Sequence, residues 1–82
     1  MKDRRFGTIK RMKKVESVEA TIEQLNKELE YYSNKLNEYY YYNSKEQYEN
    51  YKTAHMETSD LLSLAYKRLA VLRLMERDKQ RQ

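Results

Sequence analysis

The sequence predicts an all-α protein: two long helices forming an antiparallel coiled-coil hairpin, with hairpins dimerising into a four-helix arrangement. Three observations carry this. The 82 residues contain no Pro and a single Gly, so the two residues that most often break helices are almost missing. Apolar residues recur at alternating spacings of three and four over two separate stretches. Between those stretches the phase slips, and a helix-start pattern sits at the slip.

The first stretch runs Val15, Val18, Ile22, Leu25, Leu29, Tyr32, Leu36 and Tyr39. Residues three and four apart share one face of a helix, so this is a coiled-coil seam. The second runs Tyr48, Tyr51, His55, Thr58, Leu62, Ala65, Leu69 and Leu72. Extending the first seam past Tyr39 would place Asn43, Glu46, Asn50 and Glu57 in the core, so the helix must stop. Ser44-Lys45-Glu46-Gln47 has the capping-box form, in which the Ser hydroxyl accepts from the backbone of the fourth residue and the Gln reaches back. Asn43 before it tolerates the left-handed backbone of a helix end. At the front, Gly7-Thr8 offers a start, with Thr8 as N-cap. The expected order is a basic tail over 1–8, a first helix over 9–42, a turn near 43–44, a second helix over 45–78 and a tail over 79–82. The rival is one continuous helix with the phase slip absorbed in a bulge.

An isolated hairpin leaves too much apolar surface. Between Leu61 and Met75 the residues Leu61, Leu62, Leu64, Ala65, Leu69, Val71, Leu72 and Met75 cover about half the helix circumference at 100° per residue. One partner helix covers less than that, so self-association through this arc is expected. Arg68 lies within the arc, where it pairs with an acid of the partner and sets register, or lays its stem on the seam and turns its charge to water.

Charge is unevenly spread. Residues 1–14 carry seven Lys/Arg against Asp3, residues 15–66 carry four Lys against ten acids, and residues 67–82 carry six Lys/Arg against Glu76 and Asp78. In a hairpin both basic segments fall at one end. Lys2, Arg4, Arg5, Lys10, Arg11, Lys13 and Lys14 are therefore candidates for contacts to a nucleic-acid phosphate backbone, against the alternative of a solvated basic tail.

Eight of the nine tyrosines fall between Tyr31 and Tyr51, four of them consecutive at positions 39–42. Tyr32, Tyr39, Tyr48 and Tyr51 sit on the seams and read as core. Consecutive residues fan around a helix, so Tyr40, Tyr41 and Tyr42, together with Tyr31, are the candidates for a protein contact. The acids around them disfavour a polyanion as the partner.

Catalysis lacks parts. There is no Cys, the lone His55 has no companion ligand at helical spacing, and no Gly-rich phosphate loop is present. No enzyme activity, cofactor or metal is expected, and the absent thiols leave the redox compartment unspecified. The densest apolar stretch, residues 61–66, is too short to span a membrane and already contains Ser63. The basic start is not followed by an apolar run, so no secretory signal is expected and the cytoplasm is the default location. The expected role is a small helical adaptor, regulator or inhibitor acting on a protein partner. A nucleic-acid accessory protein is the alternative, and a purely structural self-assembling coiled coil the second alternative.

Overall fold

Three helices run in the order α1 (Arg5–Arg11), α2 (Val15–Tyr41) and α3 (Lys45–Arg81). The structure, a computed structural model, describes residues 4–41 and 45–81, with side chains described for 4–38 and 45–79. The protein is all-α, and α2 and α3 pack along one another in a hairpin-like arrangement measuring 59 × 22 × 13 Å. The long dimension is what α3 demands, since its 37 residues at about 1.5 Å each run to about 55 Å.

Where one first helix was expected over 9–42, there are two, α1 and α2. Thr8 is not an N-cap. It lies inside α1, and its Oγ1 donates back to the Arg4 carbonyl at 3.4 Å. Gly7 is likewise helical, with open space around the position of a Cβ. The chain leaves the helix at Met12, whose ψ of 135° is extended, and re-enters at Val15, where the Val18 N–H reaches the Lys14 carbonyl at 3.2 Å. Charge gives this break a physical reason. An unbroken helix would stack Lys10 against Lys13 and Lys14, and Arg11 against Lys14, all like-charged at spacings of three and four. The break separates them, and Lys10 and Arg11 come to rest in the last turn of α1, where the helix dipole favours cations. The second helix, expected over 45–78, spans Lys45–Arg81. The capping residues Asn43 and Ser44 lie outside the described residues.

The core is aliphatic and concentrated at the α1 end. Val18, Ile22 and Leu25 of α2 meet Leu61, Ala65, Leu69 and Leu72 of α3, and Ile9 of α1 joins them, all buried. Phe6, Met12, Val15, Leu62 and Leu64 pack around this cluster partly buried. Ile9 is only 1% exposed, which on a seven-residue helix shows how firmly α1 is docked. α1 resolves the problem of the over-wide apolar arc: the part of α3 that α2 leaves uncovered is in large part covered from within the chain. Thr58 is the one buried polar residue among those described, and no buried side-chain polar atom among them lacks a partner.

Further along, the seam changes character. Leu29, Tyr32, Leu36, Tyr48, Tyr51 and His55 are only half-buried. No helix among the described residues is long and apolar enough to cross a membrane.

Candidate interaction surfaces

Polar contacts fix α1 and set the pairing of the long helices. Arg5 Nη1 donates to both carboxylate oxygens of Glu28, at 3.0 and 2.8 Å, joining α1 to α2. Thr21 Oγ1 lies 3.8 Å from the Met12 sulfur. Arg68 Nε donates to the Met12 carbonyl at 2.7 Å. That carbonyl sits just past the last turn of α1, where helix geometry provides no backbone donor, so the guanidinium supplies one. Arg68 therefore ties α3 to the break within the chain. Between α2 and α3, Arg73 meets Glu19 at 3.6 Å, Ser33 Oγ meets His55 Nε2 at 3.2 Å, and Tyr32 meets Tyr51 at 6.2 Å between ring centroids.

The expected self-association residues fall into three groups. Leu61, Leu69 and Leu72 are spent in the core. Leu62 and Leu64 pack against it, and Arg68 holds Met12. Val71 and Met75 remain exposed, at 43% and 52%, and Leu74, which the spacing argument passed over, stands with them at 59%. Leu74 is legible in the sequence only once α1 is known, because its place on the wheel lies outside the seam facing α2.

Among the tyrosines, Tyr31 is half-exposed and held between neighbours. Its ring meets Tyr32 edge-on at 5.4 Å and Tyr51 edge-on at 6.4 Å, and the Lys35 ammonium stands 5.7 Å from its centroid. Edge-to-face pairs of this kind contribute about 0.5–1.5 kcal/mol each beyond the area they bury. Lys35 also reaches Glu38 at 3.3 Å. The backbones of Tyr40 and Tyr41 close α2, but the side chains of Tyr39, Tyr40 and Tyr41, and all of Tyr42, lie outside the described residues.

The basic candidates divide as well. Lys2 lies outside the described residues, and Arg5 is committed to Glu28. Arg4, Lys10, Arg11, Lys13 and Lys14 are exposed on α1 and the break. Lys10 lines a groove between α1 and α3 with Phe6, Asp60, Ser63, Leu64 and Lys67, so an acid stands among its cations. His55 shares its Nε2 with Ser33, and among the described residues no three His, Cys, Asp or Glu side chains converge as a metal site would require. Comparison of the chain with family models, with curated proteins and with solved structures finds no match to any of them.

Proposed function

We propose that this protein is a non-enzymatic helical interaction protein, an antiparallel hairpin that binds a protein partner through its tyrosine-rich end and self-associates through the exposed part of α3. The observation that carries the first contact is Tyr31. It is 51% exposed, yet its ring is fixed against Tyr32 and Tyr51. A large aromatic surface already held in place loses little entropy on binding, which is why such residues dominate protein interfaces. Tyr40, Tyr41 and Tyr42 join Tyr31 as proposed contacts on the ground of the sequence alone. The antiparallel course of the hairpin is supported by the order of the contacts, since Glu19, Tyr32 and Ser33 of α2 meet Arg73, Tyr51 and His55 of α3.

The test is capture of partners from a lysate by the wild-type chain and by Tyr31→Ser. The expected result is a specific protein recovered by the wild type, resistant to nuclease, and lost with the variant while helicity by circular dichroism is unchanged. Recovery that persists in the variant overturns the role of Tyr31. A second reading, backbone contact with nucleic acid, is favoured by the exposure of Lys10, Arg11, Lys13 and Lys14 together at one end. It predicts recovery that nuclease abolishes and that weakens steeply with salt.

A further inference from the structure

Four exposed residues of α3 form a stripe with its own symmetry. Lys67, Val71, Leu74 and Asp78 are spaced four, three and four apart, so they lie on one face. All four are exposed. The stripe is apolar in the middle, with a cation four residues before Val71 and an anion four residues after Leu74. Met75 and Ala70 flank the apolar centre and are also exposed. Toward the N-terminus of α3 this face meets α1, since Asp60, Ser63, Leu64 and Lys67 line the groove there with Phe6 and Lys10.

We propose that this stripe is the self-association site and that its occupant is a second copy of the same stripe, running in the opposite direction. A two-fold axis midway between Val71 and Leu74 makes every contact reciprocal. Val71 then faces Leu74 of the second copy, and Leu74 faces its Val71. Counting four residues outward, Lys67 faces Asp78 and Asp78 faces Lys67. The charges at the two ends become partners only when the stripe meets a reversed copy of itself. A parallel pairing sets Lys67 against Lys67 and Asp78 against Asp78, which repels at both ends. The proposal rests on the self-associating reading above and gives it residues and an orientation. The overlap spans about three turns, or about 16 Å of helix. Such an interface is smaller than the about 800 Å² per partner of stable complexes, so association is a concentration-dependent equilibrium.

The experiment is sedimentation of the full chain from about 1 μM to about 1 mM, for wild type, Lys67→Glu, Asp78→Lys and the double variant. Each single reversal creates two like-charged pairs, and the double variant restores two opposite ones. The expected result is dimerisation weakened on the order of tenfold by either single change and recovered in the double variant. Both positions are exposed, so circular dichroism should report the same helicity throughout. Because the chain has no Cys, orientation is read separately by mixing a Val71→Cys chain with a Leu74→Cys chain under oxidising conditions. Mixed disulfides should predominate over like-with-like ones. A wild-type chain that stays monomeric over the whole range overturns both the stripe and the self-associating reading. A dimer indifferent to both reversals, or one that gives like-with-like disulfides, overturns the stripe alone.

Discussion

Single residues carry much of the difference between what the spacing predicts and what folds. Gly7 is the sharpest case. Read as punctuation, it belongs to a turn, and a side chain there would be harmful. Within α1 it has no left-handed backbone to protect and nothing within 4 Å of an added Cβ. Gly→Ala in a helix interior lowers the entropy of the unfolded chain, so Gly7→Ala is expected to stabilise by about 0.5–1 kcal/mol. Urea denaturation followed by circular dichroism checks this, and a midpoint that falls would return Gly7 to a turn. Most seam residues near the α1 end were legible because burial follows the spacing there, except that Leu61 is buried where the spacing pointed to Leu62, which is only half-buried. Val18, Ile22 and Leu25, and then Ala65, Leu69 and Leu72, are buried at the positions that alternate by three and four. Arg68 was legible only as a choice between two fates. Its bond to the Met12 carbonyl was not legible, since no local pattern places that atom, 56 residues away, beside α3.

At the scale of elements, the spacing that reveals α2 does not by itself show the break between α1 and α2. Carried back from Val15, the alternation of three and four falls on Arg11 and Thr8, so the seam ends at Val15, but a seam can end inside a helix. No Pro, Gly or capping residue marks residues 12–14, and the helix-breaking force is the crowding of Lys10, Arg11, Lys13 and Lys14, which a hydrophobic pattern does not register. One signal was present: Phe6, Ile9, Met12 and Val15 recur every three residues, out of the alternation of three and four that the seam keeps. The consequence is that α1 is a core element and not a tail. Ile9→Ala removes a side chain that is 1% exposed and should cost about 2–4 kcal/mol. Met56→Ala removes one that is 59% exposed and should stay within about 0.5 kcal/mol. Chemical denaturation of the two variants separates them, and an Ile9→Ala chain as stable as wild type would mean that α1 is not docked in solution.

Over the whole molecule, stability should be graded along the long axis. At the α1 end three helices surround an aliphatic core of Ile9, Val18, Ile22, Leu25, Leu61, Ala65, Leu69 and Leu72. Toward the tyrosine end only α2 and α3 remain, and their shared face is Tyr32, Ser33, Leu36, Tyr48, Tyr51 and His55, none of them fully buried. Side chains that stay half in water contribute roughly half the transfer free energy of full burial, at about 25 cal/mol per Å² of apolar surface. Aromatic edges and the Ser33–His55 hydrogen bond offset only part of that difference. Backbone hydrogen bonds in the two regions are of the same helical kind, so their protection against exchange reports the tertiary packing behind them. Amides of residues 18–25 and 61–72 are therefore expected to exchange most slowly, near the rate set by global unfolding. Those of residues 30–38 and 46–55 should exchange at least tenfold faster through local opening. Hydrogen exchange by NMR or mass spectrometry on the wild-type chain measures this directly. Ile9→Ala should then lower protection in the slow region and leave the tyrosine end unchanged, because Ile9 belongs to the core only at the α1 end. Uniform protection along both long helices would mean that the tyrosine seam is as strong as the aliphatic one. A partner that binds Tyr31 would in turn slow exchange in residues 30–38 and 46–55, since the weaker end is the one whose ordering a ligand can change most.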